Sequence, residues 1–193
     1  MSLPVAILLG GKGRRLNLKD IPKPMVPFVG KPLLEHLVQK LVEQGFRNLV
    51  FLTGHLHSVI ENYFGDGQKF GAKIRYSFEE KPLGTARATK KSCDMLGNEF
   101  LLLYGDVVIE VDLNRLLLAS KKNGGHGTLV VHPNDHPFDS DLVVCKPDSN
   151  KINQFLNKPH SKSLKARNLV NAGLYYLNKE IFKAIPEDDF QYD

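Results

Sequence analysis

Cysteine is nearly absent from this chain: Cys93 and Cys145 are the only two in 193 residues. They share no CxxC spacing, which excludes a disulfide framework, and both read as reduced packing residues of a cytoplasmic protein. Long apolar runs are also lacking. Nothing approaches the roughly 18 consecutive apolar residues of a membrane span. The N-terminal apolar stretch meets glycines too soon to be a signal peptide. The net charge of +5 comes with no basic helix and no basic–aromatic stripe outside one loop, which argues against nucleic acid as a partner. No internal repeat or low-complexity tract is present.

Otherwise the composition, 42% hydrophobic and 24% charged, is ordinary for a globular protein. The charge excess is gathered in one place. Val5-Ala6-Ile7-Leu8-Leu9 predicts a buried strand, and Gly10, Gly11 and Gly13 follow it. Those glycines let the backbone turn sharply and its N–H groups converge on an anion. Lys12, Arg14, Arg15, Lys19, Lys23 and Lys31 surround the turn with only Asp20 against them, a local charge of +5. The rest of the chain has 20 basic and 20 acidic side chains and is neutral. A loop of this kind suits a small, strongly anionic ligand such as a nucleoside triphosphate. It lacks the Gly-Lys-Ser/Thr of a Walker loop, and Leu16 stands where a dinucleotide fingerprint needs glycine, which disfavours a nicotinamide-dependent oxidoreductase.

Downstream, strand-like and helix-like stretches alternate over short links. Pro24 to Phe28 reads as an extended crossing segment. Pro32 opens an amphipathic helix that Gly45 stops. Residues 48–53, 74–78 and 100–104 read as strands, and Ser58-Val59-Ile60-Glu61 as a capping box for a helix running to Phe64. Thr85 is placed to cap a helix to Leu96, and Asp112 to cap another that ends before Gly124. This predicts an α/β fold in three layers, a Rossmann-like, mostly parallel sheet with helices on both faces. Ligands of such sheets sit beyond the carboxyl ends of the strands, where the glycine loop and Asp106 both fall. The last third changes character: residues 127–131, 142–146, 152–155 and 174–177 predict a β-rich part covering one side of the site.

The run Leu-x-Gly-Gly-x-Gly-x-Arg-Leu, then Lys23-Pro24, Pro82-Leu83-Gly84-Thr85-Ala86, Gly105-Asp106 and Asn171-Ala172-Gly173 resembles the sugar-1-phosphate nucleotidyltransferases. The match spans almost the whole chain, with its motifs in family order. Residues 63–86 resemble the heptose-1-phosphate and mannose-1-phosphate guanylyltransferase branch. The run from His132 to Val143 resembles domains fused to a phosphatase of the haloacid dehalogenase type. The resemblance implies the nucleotide-diphospho-sugar transferase fold and transfer of a nucleotidyl group from a nucleoside triphosphate, GTP by branch, to a heptose- or mannose-type sugar 1-phosphate. Pyrophosphate would be released. A non-catalytic nucleotide-sugar-binding or regulatory module on the same fold is the alternative.

It further implies roles. Gly10, Gly11 and Gly13 hold the nucleotide, with Gly84 allowing close approach of base or sugar and Glu80 facing the base. Arg15 and Lys23 act on the phosphates, and Asp106 ligates Mg²⁺, the expected cofactor. Lys158, Asn171 and Gly173 contact the sugar phosphate. Arg14 replaces a usual threonine and either grips the triphosphate or points into water, Asn157 stands where glutamate is common, and Arg87 where a small residue is common. Relatives carry a second acidic metal ligand beyond the position of Asp193. The chain, read as a single domain over 1–193, is therefore expected to be cut short at its C-terminus, with a fused phosphatase domain or a second copy as its protein partner. His55-x-His57 and His132 with His136 lack the Cys/His complement of a closed zinc site.

Overall fold

The computed structural model describes residues 3–11, 20–135, 138, 140–161 and 166–186. The chain forms two compact units, Met1–Thr128 with Tyr175–Asp193, and Leu129–Leu174.

The first unit is built on strands β1 (Val5–Leu8), β4 (Asn48–Thr53), β5 (Lys73–Phe78) and β6 (Glu99–Tyr104), in the order β5-β4-β1-β6 with the end of a later strand beyond β6. Strand β1 pairs in parallel with both β4 and β6, and β4 pairs in parallel with β5. Val5, Ile7, Leu49, Phe51, Leu101 and Leu103 lie on one face and Ala6, Val50, Phe100 and Leu102 on the other, and nearly all are fully buried. Burial on both faces is what continuous apolar runs in a parallel sheet require. Helix α2 (His57–Phe64) packs on the first face, with the rings of Phe51 and Phe64 5.4 Å apart. The opposite face carries Ala88 of α3 (Gly84–Lys91), Leu96 of α4 (Cys93–Leu96) and Phe182 of the short 3₁₀ segment Lys179–Ala184. Helix α1 (Leu33–Glu43) buries the stripe Leu34, Leu37, Val38 and Leu41. The three-layer α/β arrangement is thus as expected. No helix among the described residues is long and apolar enough to cross a membrane.

Helix α5 (Leu113–Asn123) starts as predicted, the Asp112 side chain accepting from Arg115 N–H at 3.1 Å. Two other helix starts differ. Helix α2 begins two residues early, because the His57 N–H donates to the Gly54 carbonyl at 3.1 Å and left-handed Leu56 holds the cap position. That backbone turn leaves Ser58 inside the helix, so no capping box forms. The stretch expected to run unbroken from Thr85 to Leu96 is two helices. Ser92 Oγ turns back to the Thr89 carbonyl at 2.9 Å, a local side-chain bond that competes with helix continuation. Pro27–Phe28 (β2) and Lys31–Pro32 (β3) form a small antiparallel ribbon rather than a plain crossing segment.

The second unit is β-rich. It holds most of β7 (Gly127–Pro133), β8 (Leu142–Cys145), β9 (Ile152–Leu156) and the first part of β10 (Leu169–Asn178). Strand β8 runs antiparallel to both β9 and β10, and β7 also pairs with β10. Strand β10 is longer than expected and takes in Asn171, Ala172 and Gly173.

Candidate active site

In the first unit the strands, taken in chain order, run outward from β1 through β4 to β5, and the chain then crosses back to β6 on the other side of β1. The carboxyl ends of β1 and β6 therefore flank the point where strand order reverses, where a crevice must open. Gly10 and Gly11 leave β1 there, after the Leu9 N–H extends the ladder to Leu52 O at 2.8 Å. Asp106 leaves β6 there. Gly105 makes this juxtaposition possible: a Cβ on it would lie 2.2 Å from Leu9 Cδ2 and 3.0 Å from the Leu8 carbonyl. Only glycine lets the two strand ends close up and present Asp106 beside the glycine turn.

Lys23 reaches the same place from a separate segment. It opens the 3₁₀ turn Lys23–Met25, anchored by buried Pro24 and Met25, and its Nζ pairs directly with Asp106 Oδ2. Both side chains remain open to solvent, 43% and 29% exposed. The hollow that both line measures about 300 Å³ and is also lined by Leu8, Gly10, Gly11, Tyr104 and the stretch from Pro82 to Thr85. Gly84, at the start of α3, has φ +78°, a left-handed backbone that favours glycine.

Besides Asp106, the carboxylate that lines this hollow is Glu79, not the predicted Glu80. Glu79 is half-buried, its Oε2 accepts the Leu83 N–H at 2.9 Å, and its Oε1 lies 3.7 Å from where a Gly10 Cβ would stand. Burial pushes its pKa up, opposed by the Leu83 N–H and by Lys91. Glu80 is exposed and borders only the adjoining hollow, which shares Gly10, Glu79 and Pro82 with the first and is also lined by His55, His57 and Phe78. Side chains alternate along an extended backbone, so of two adjacent glutamates at the end of β5 only one faces the crevice.

The structure thus brings together Gly10, Gly11, Lys23, Gly84 and Asp106 of the residues singled out above, and adds Glu79. Gly13 and Arg15 lie outside the described residues, and so does Arg14. Lys158, Asn171 and Gly173 belong to the second unit. There Lys158 is exposed and its N–H donates to Asp141 Oδ1 at 2.9 Å, while Asn171 Oδ1 accepts from Gly173 N–H at 2.9 Å.

Among the described residues no cluster of three His, Cys, Asp or Glu side chains could hold a metal by itself. A single carboxylate at the mouth of an open hollow nevertheless fits Mg²⁺, which is usually held by one or two carboxylates together with substrate phosphates.

Residues 5–192 match the Nucleotidyl transferase family. The chain belongs to that family. Among its relatives, D-glycero-alpha-D-manno-heptose 1-phosphate guanylyltransferase of Campylobacter jejuni is 35% identical over 178 residues, 91% of this chain and 76% of the relative. A probable mannose-1-phosphate guanylyltransferase of rice is 34% identical over 93% of this chain, which spans about half (51%) of that protein's length. UTP–glucose-1-phosphate uridylyltransferase of Synechocystis is 33% identical over 97% of this chain and 52% of its own. The crystal structure of HddC from Yersinia pseudotuberculosis in complex with GMP-PN superposes with a TM-score of 0.82 at 27% identity, covering 98% of this chain and 83% of HddC. The chain is therefore an enzyme of the nucleotidyltransferase class, on the fold expected of it.

Proposed function

We propose that this chain transfers a guanylyl group from GTP to a heptose- or mannose-type sugar 1-phosphate, releasing pyrophosphate. The observation that carries the reading is the convergence of Gly10 and Gly11, Lys23 and Asp106 at the strand-order reversal of a chain in this family. An oxygen of the sugar phosphate forms a bond to the α-phosphorus as the bond from that phosphorus to the β-phosphate bridging oxygen breaks. The electron pair leaves on pyrophosphate. A phosphate is already ionised at neutral pH, so the protein has little proton transfer to perform. Its work is positioning and charge neutralisation, as in phosphoryl transfer generally.

Backbone N–H groups of the glycine turn cradle the triphosphate. Lys23 meets the α-phosphate, and Arg15 holds the departing pyrophosphate. One cation about 4 Å from a phosphate charge supplies ~4 kcal/mol of gross Coulomb attraction at an effective dielectric near 20, before desolvation. Asp106 would hold Mg²⁺ against the phosphates, and the ion would offset their charge and polarise the P–O bonds. Lys158, Asn171 and Gly173 serve the sugar phosphate.

The choice of GTP is supported by the names of the Campylobacter and rice relatives and by the GMP-PN held by HddC. Glu79 supplies a chemical reason. A carboxylate only accepts hydrogen bonds, which suits the N1–H and N2–H₂ donors on the edge of guanine. The same group would face the bare N1 acceptor of adenine. The test is incubation with GTP, ATP, UTP and dTTP against a panel of sugar 1-phosphates in Mg²⁺, measuring pyrophosphate. Fastest release is expected from GTP with a manno-configured acceptor. Release from UTP or dTTP alone would overturn the donor assignment, and none from any pair would overturn the activity.

A further inference from the structure

Lys23, assigned to the α-phosphate, and Asp106, assigned to the metal, occupy each other in the free protein. Lys23 and Asp106 are 83 positions apart in sequence and come from different segments, yet Nζ is hydrogen-bonded directly to Oδ2. We infer that Lys23 is a built-in counter-cation for Asp106, so that the carboxylate becomes available to a divalent metal only when a triphosphate draws Lys23 away. This inference rests on the nucleotidyl-transfer reading of the same hollow.

A divalent ion approaching the free protein must displace an ammonium already seated on its carboxylate and then tolerate that ammonium a few ångströms away. A metal-free triphosphate faces the mirror-image obstacle, since the cation it needs is engaged and a carboxylate stands beside it. Together the two ligands remove each other's obstacle: the phosphates take the ammonium, and the metal takes the carboxylate and joins it to the phosphates. Linkage makes this reciprocal, so the ion pair is a coupling device between the two sites. Partial exposure of both groups leaves room for Lys23 to swing without opening the core.

The probe is Mn²⁺ in place of Mg²⁺, read by loss of its free-ion electron spin resonance signal, with protein that carries no nucleotide. Lys23→Met is expected to bind Mn²⁺ about fivefold or more tightly than the wild type. Lys23→Gln serves as a second variant. Lys31→Met removes a cation of the same basic cluster, but one that sits 3.9 Å from Glu35 instead, and should leave Mn²⁺ binding unchanged. In the mirror experiment Asp106→Asn should bind metal-free GTP, in excess chelator, more tightly than the wild type by a similar factor, with UTP run in parallel. Equal Mn²⁺ affinity in wild type and both Lys23 variants would overturn the inference, as would a gain of equal size from Lys31→Met. A wild type that releases no pyrophosphate would overturn the nucleotidyl-transfer reading instead, and the nucleotide-free Mn²⁺ titration reports on the ion pair in either case.

Discussion

Replacing Glu79 with glutamine separates what its carboxylate costs the fold from what it does for the nucleotide. Glutamine keeps an oxygen for the Leu83 N–H, now bonded at 2.9 Å, so the Pro82–Gly84 wall should keep its tether. What disappears is a charge. Burial raises the pKa of Glu79 in the folded protein. A carboxyl with a raised folded pKa contributes stability that is fully present below its unfolded pKa and is lost as pH rises through the folded value. At neutral pH the wild type has therefore lost that contribution, and Glu79→Gln should melt at a slightly higher temperature. The gain is small because the side chain is only half-buried, and it should fade in acid below the ordinary carboxylate range. Function should move the other way. Hydrogen bonds to a charged group are worth about 1.5–3 kcal/mol, so the preference for GTP over UTP in kcat/KM should fall by about 10- to 150-fold. Melting curves across pH, together with kcat/KM for both donors, test the two halves. An unchanged GTP preference would refute the role given to Glu79, and a lower melting temperature at neutral pH would refute the electrostatic argument.

Other expectations follow from the same geometry. Asp106→Asn should lower kcat by about 10²–10³-fold in a pyrophosphate-release assay, the scale of losing a group that stabilises transition-state charge; near-normal turnover at saturating substrates would remove Asp106 from the mechanism. Gly105→Ala places a Cβ 2.2 Å from Leu9 Cδ2 and should destabilise the first unit by about 1–3 kcal/mol in denaturant titration. GTP binding should weaken steadily as salt rises, because the stretch from Lys12 to Lys31 that receives it carries a local charge of +5; a salt-independent affinity in calorimetry would contradict that.

Much of this fold is readable from the residues because the central strands are buried on both faces and so appear as unbroken apolar runs. Asp112 likewise announces its helix, since its own side chain takes the Arg115 N–H. The misread starts have a common cause. At Ser58 and Thr85 the side chains have the right chemistry, but local turns took the chain into each helix earlier: His57 N–H bonds the Gly54 carbonyl in one case, and Leu83 N–H bonds the Glu79 carboxylate ahead of Gly84 in the other. Glu79 and Glu80 are chemically identical, and only the register of β5 against β4, which places Phe78 opposite Thr53, decides which of them points inward. The length of β10 was hidden because Asn171 and Gly173 weaken strand propensity. The pairing of Lys23 with Asp106 joins residues 83 positions apart, and local pattern carries no record of it.

The central claim is that bond-making occurs at the α-phosphorus. Parallel reactions with GTP labelled at the α- or the γ-phosphate and an unlabelled manno-configured sugar 1-phosphate test it most directly. The α-label is expected to move into a nucleotide sugar while the γ-label appears in pyrophosphate, in equal amounts. Transfer of the γ-label to the sugar, or its release as inorganic phosphate with no labelled nucleotide sugar formed, would contradict it.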